Sequence, residues 1–135
     1  MIRALLLLVL LAPTQDATVR FTYVDLVVDS AGPLAAWQVE LTAEHAKIVG
    51  VEGGDAAAYA AAPYYDPVAL QQGRIIVAAF TTDAKAPAGR VRVARIHFEV
   101  RGNPDYSARL VAAAAPGGER LADARLTLVR AGGGK

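Results

Sequence analysis

Arg90 to Arg101 reads RVRVARIHFEVR, and its alternation decides the fold. Val91 and Val93, then Ile96, Phe98 and Val100, recur at every second position between charged or polar neighbours. A period of two marks a strand with one face in a core and the other in solvent. The phase slips near Ala94. Such a slip sends every later side chain to the opposite face unless a β-bulge absorbs the extra residue. With a bulge, Arg90, Arg92, Arg95, His97, Glu99 and Arg101 all share the outward side.

The same period runs along the rest of the chain. In Thr18–Asp29 the apolar positions are Val19, Phe21 and Tyr23, then Val24, Leu26 and Val28. This phase switch predicts a bulge or a change of sheet near Tyr23. Ser30-Ala31-Gly32-Pro33 is a turn signal. Trp37, Val39 and Leu41 then alternate with Gln38, Glu40 and Thr42, and a shorter strand covers Lys47–Val51. Arg74–Thr82 is apolar on both faces from Ile75 to Phe80, which suits a central strand covered on both sides or one partly covered by a loop. Gly102-Asn103-Pro104-Asp105 reads as a turn, followed by strands over Ser107–Ala115 and Leu121–Arg130. Between Gly53 and Gly73 the chain is irregular. There Asp55 suits the cap of a single turn over Ala56–Tyr59, and Asp66-Pro67 suits N-cap and N1 of a turn over Val68–Gln72.

About seven short strands without a long amphipathic helix predict an all-β, two-sheet antiparallel sandwich. Trp37, Val39, Leu41, Ile96, Phe98, Leu126 and Leu128 are its expected inward residues.

The chain has 135 residues, the length of one domain. Met1-Ile2-Arg3 followed by the nine-residue apolar run Ala4–Ala12 and Pro13 has the anatomy of a secretory signal. A spanning helix needs roughly 20 apolar residues, so a retained anchor is the weaker reading. The expectation is a signal over residues 1–17, cleaved between positions 12 and 17. A domain over 18–130 and a flexible tail over 131–135 follow, and the product is secreted or periplasmic with no membrane insertion. There is no Cys, which removes disulfides, thiolate zinc sites and Cys nucleophiles. The formal charge of +1 gives no field for nucleic acid.

Catalytic chemistry has little to stand on. His45 and His97 are the only imidazoles. Ser30 sits in a turn, Ser107 opens a strand, and neither has the Gly-x-Ser-x-Gly setting of a nucleophile elbow. Glu52-Gly53-Gly54-Asp55 supplies too few oxygen ligands for a calcium loop, and no long helix follows to make it a phosphate cradle. Asp25 and Asp29, like Glu52 and Asp55, read as solvated turn residues. No enzyme activity, cofactor or metal is expected.

Three stretches resemble the cohesin domain family. Val24-Asp25-Leu26-Val27-Val28-Asp29, a Gly-Pro turn and Leu34-Ala35-Ala36-Trp37-Gln38-Val39-Glu40-Leu41 resemble its opening. Gly73-Arg74-Ile75-Ile76-Val77 resembles its middle strand. Pro87-Ala88-Gly89 with Val93-Ala94-Arg95-Ile96-His97-Phe98-Glu99-Val100 resembles a late turn and strand. Ala43-Glu44-His45 stands where many cohesins have Tyr-Asp-Pro. The resemblance, over roughly Val19 to Arg130, implies a nine-stranded jelly-roll sandwich without enzyme activity. It also implies a dockerin-like partner protein that carries the calcium. Gln38, Glu40, Arg92, Arg95, His97 and Glu99 then form the candidate binding face. Tyr59, Tyr64 and Tyr65 form a candidate aromatic loop, the feature that would instead suit a polysaccharide.

Overall fold

The structure, a computed structural model, describes residues 18–132. The expected signal over 1–17, its cleavage point and tail residues 133–135 lie outside the described residues. The chain forms five strands: β1 (Val19–Ser30), β2 (Ala36–Gly53), β3 (Arg74–Phe80), β4 (Gly89–Ala114) and β5 (Arg125–Arg130). They make one antiparallel sheet in the order β3-β2-β4-β1-β5. No helix among the described residues is long and apolar enough to cross a membrane.

Five strands replace the expected seven because two pairs fuse. Trp37–Thr42 and Lys47–Val51 are halves of β2, and Arg90–Arg101 and Ser107–Ala115 are halves of β4. The two strands stay paired throughout, from Ala36 opposite Ala114 to Gly53 opposite Ala94. Midway, β2 has His45 alone where β4 has Arg101 to Pro104. His45 and Gly102 take φ of 58° and 77°, the left-handed region that bends a strand. Gly102-Asn103-Pro104-Asp105 therefore bends the chain inside a strand and does not turn it back.

The bend folds the sheet onto one core. Val24, Leu26 and Val28 of β1 and Ile96 and Phe98 of β4 share an apolar cluster with Trp37, Val39 and Leu41 of β2 and Ile75 and Val77 of β3. Phe98, from the first half of β4, meets Tyr106, from the second, at 5.0 Å between ring centroids. All seven expected inward residues belong to this core, with Leu126 and Leu128 half-buried at its margin. Each fully buried Val, Leu, Ile or Phe is worth about 1.5–3 kcal/mol.

The slip near Ala94 is a bulge. Leu26 pairs with Ala94 and Val27 with Arg92, which leaves Val93 unmatched, and Val93 and Ala94 are both buried. The phase switch near Tyr23 is not one, because the register runs unbroken from Tyr23–His97 to Val24–Ile96. Phe21 and Tyr23 point outward, and the inward side continues as Thr22 and Arg20. β3 is an edge strand partly covered by a loop, since Tyr64 bridges Ala78. β5 begins at Arg125, after a turn. Asp66 caps its short 3-10 turn as expected, accepting from Val68 N, whereas Asp55 caps nothing and reaches Arg92.

Candidate functional site

The bend sorts the expected site residues into two groups. On the half where β4 pairs with β1, Arg92, Arg95, His97 and Glu99 lie on the outward side, as the bulge requires. Arg95 grips Asp25 of the neighbouring strand with Nε and Nη2 at 2.7 and 3.0 Å. Arg92 bonds Asp55 and stands 3.7 Å from Asp25. The Arg95 guanidinium lies 3.8 Å over the Tyr23 ring. His97 packs edge-on against Tyr23 and meets Glu52 at 2.6 Å, while Glu99 is 3.7 Å from Arg101. Asp25, Glu52 and Asp55, read from the sequence as solvated turn residues, are thus the counter-ions of the row. Only the fold aligns them with it. Arg92, Arg95, His97 and Glu99 on this face each have an opposite charge within 4 Å.

The His97 hydrogen bond chiefly holds the Glu52 carboxyl below its ordinary 4.5, opposed by desolvation and helped by the charges of His97, Arg95 and Arg92. The Arg92 hydrogen bond does the same for Asp55 below 3.8. A carboxyl depressed in the folded state contributes stability that is complete above its unfolded pKa and lost as pH falls through the folded one. Melting temperature should therefore hold down to about pH 4.5 and fall below it. The Glu52→Gln, Asp55→Asn double variant should show a shallower fall, read from melts between neutral and acid pH. An equal fall in both proteins would remove these two groups as the cause.

Gln38 and Glu40 are not part of that row. They lie on the other half, where β2 pairs with β3 and the end of β4, opposite Ala78 and Ile76 on one side and Ala112 and Arg109 on the other. Their neighbours there are Tyr64 and Tyr65. A groove of about 660 Å³ runs between Gln38, Arg74, Ile76, Ala78 and the loop residues Tyr64, Tyr65, Asp66 and Val68. A smaller one of about 250 Å³ continues it over Ala36, Ala112 and Phe80. The Tyr64 ring stacks on Phe80, 6.2 Å between centroids and 13° between planes. Among the described residues, four of the seven exposed large apolar side chains line this surface: Tyr64 at 71 %, Val68 at 75 %, Ile76 at 38 % and Phe80 at 63 %. Apolar exposure so concentrated marks an interaction surface. Arg74 and Arg109 share the Glu40 carboxylate at 3.2 and 3.4 Å along its edge.

Tyr59 does not belong to the aromatic surface. Its ring is 2 % exposed and edge-on to Trp37 at 6.0 Å, and its hydroxyl donates to Leu34 O at 2.6 Å. Burial pushes its phenol up to about 12. The short turn Ala57–Tyr59 aims Tyr59 inward, and the loop then runs out along β3. Phe80, absent from the expected site, completes the surface. It was masked by a strand apolar at every position, in which alternation carries no sign of which side faces out.

Neither serine reaches an imidazole. Ser30 is buried and donates to Gly32 O, and Ser107 shares a hydrogen bond with Thr42. Among the described residues, no three His, Asp or Glu side chains gather as a metal site. No family model, curated protein or solved structure matches the chain.

Proposed function

We propose that the chain is an exported, non-enzymatic recognition module, a cohesin-like jelly-roll sandwich that holds a partner protein of the dockerin type. The surface argued to hold it is that of Tyr64, Phe80, Ile76 and Val68. One observation carries the reading: exposed apolar side chains concentrate there, while the arginine row on the other half is paired internally. Aromatic and aliphatic anchors beside a rim of partly paired arginines suit a protein interface. This moves the proposed contact from Arg92, Arg95, His97 and Glu99 to the groove that Gln38 and Glu40 border.

Capture of exported proteins on the immobilised domain tests this. Tyr64→Ala with Phe80→Ala should abolish capture, and Arg109→Glu should weaken it, while Arg101→Gln should leave it intact. Capture that survives loss of both rings would overturn the proposal.

The near-parallel, exposed rings of Tyr64 and Phe80 favour a second reading, a neutral polysaccharide stacked along them. That reading requires glycan-array binding that is lost with the rings and indifferent to Arg109→Glu. An empty array removes it.

A further inference from the structure

The inward side of β1 changes character along its length. Val24, Leu26 and Val28 are fully buried, but the positions before them on that side are Thr22 and Arg20. β5 changes in the same way: Leu126 and Leu128 pack on the core, and Arg130, paired with Val24, follows them. Two arginines therefore stand at one end of the folded sheet, where apolar residues would simply have extended the core.

Tyr106 lies with them. The Arg130 guanidinium is 4.9 Å from its ring centroid, and Arg20 donates to Gly102 O at 2.8 Å across the bend. With Thr22, Asn103 and Pro104 these residues line a pocket of about 420 Å³ whose walls carry no carboxylate. Among the described residues neither arginine has an ion-pair partner. The Tyr106 hydroxyl oxygen is buried and makes no hydrogen bond. Burial raises its pKa, and the charges of Arg130 and Arg20 oppose that rise.

We propose that this pocket is an oxyanion site, which takes one carboxylate, sulfate or phosphate group of a ligand between Arg20 and Arg130, with the Tyr106 hydroxyl donating to it. Two guanidiniums without a counter-ion repel each other, and a buried hydroxyl without a partner is costly. One oxyanion answers both, because planar guanidinium donors match its paired oxygens. The pocket shares no lining residue with the aromatic groove, so it stands whether or not the groove reading holds.

The test titrates the whole chain with sodium sulfate, sodium phosphate or sodium glucuronate at ionic strength fixed with sodium chloride. NMR follows the amides of Thr22, Asn103 and Tyr106 and the arginine Nε–H signals. Saturable shifts confined to this pocket are expected with at least one salt, and their ranking separates the headgroups. Arg130→Gln should weaken that binding about tenfold or more. Tyr106→Phe should weaken it about fivefold yet leave the melting temperature in chloride unchanged or raised, since the hydroxyl has no internal partner to lose. Shifts that stay linear with all three salts would overturn the proposal. So would a Tyr106→Phe variant of unchanged affinity or lowered melting temperature.

Discussion

Trp37→Ala is expected to destabilise the fold by about 3–5 kcal/mol, the range for truncating a large buried aromatic. The ring is 2 % exposed and sits on β2 between Ala79 of β3 and Ala113 of β4. Its cross-strand neighbours are therefore methyl groups, and the Tyr59 ring against it is held by its hydroxyl on Leu34 O. The backbone on either side is fixed by strand pairing, so the cavity stays open. Tyr59 loses its edge-on partner as well. The indole nitrogen is buried without a hydrogen bond, so the loss is one of packing and not of a polar contact. Trp37→Phe, which keeps a ring against Tyr59, should therefore cost only about 1–2 kcal/mol. Urea unfolding followed by far-UV circular dichroism measures both, since Trp37 is the only tryptophan and fluorescence disappears with it. A loss under about 1 kcal/mol for the alanine variant would place the ring outside the core.

The inward set was legible because alternation reports burial directly wherever one face is polar. Trp37, Val39 and Leu41 sit between Gln38, Glu40 and Thr42, and the structure buries the apolar three. The slip near Ala94 was legible for the same reason: two adjacent apolar residues between arginines leave only a bulge. Alternation says nothing about where a strand bends. His45 carries no mark of its left-handed backbone, and Gly102-Asn103-Pro104-Asp105 has the composition of a reversing turn. Strand pairing was equally illegible. Trp37–Thr42 pairs with the second half of β4, so Gln38 and Glu40 stand beside Ala112 and Arg109, while Arg95 and His97 face Glu52 and Gly50 at the other end of β2. The switch near Tyr23 misled for another reason. β1 starts beyond the apolar core, so its first inward positions, Arg20 and Thr22, are polar and the outward ones beside them, Phe21 and Tyr23, are aromatic. Reading apolar as inward fails at the point where the pocket with Tyr106 opens.

Gly54→Ala is expected to be nearly as damaging as the loss of Trp37, at about 3 kcal/mol or more, the top of the range for forced overpacking. A Cβ on Gly54 would stand 1.9 Å from Arg92 O, 2.8 Å from Arg92 C and 2.9 Å from Val93 C. All three are backbone atoms at the bulge, so no side chain can rotate away. The sequence offers Gly53-Gly54 as an ordinary turn, but what this position needs is close approach. The end of β2 lies against the bulged strand, and Asp55 N donates to Arg92 O at 3.0 Å. Moving that contact loosens the Asp55–Arg92 pair and the residue, Val93, that keeps Arg92 and Arg95 on one face. Gly50→Ala, four residues earlier and inside β2, is the matched control. Its Cβ would meet the nearest atom, His97 Cβ, at 3.7 Å, an ordinary contact, and its φ is not in the left-handed region. Glycine replaced by alanine at a compatible position gains about 0.4–1 kcal/mol by restricting the unfolded chain. Chemical melts of the two variants should therefore move in opposite directions. The methyl at 54 should also disperse the NMR signals of Arg92 and Arg95, which the methyl at 50 should leave in place. A Gly54→Ala protein as stable as its parent would mean that the end of β2 does not rest on the bulge.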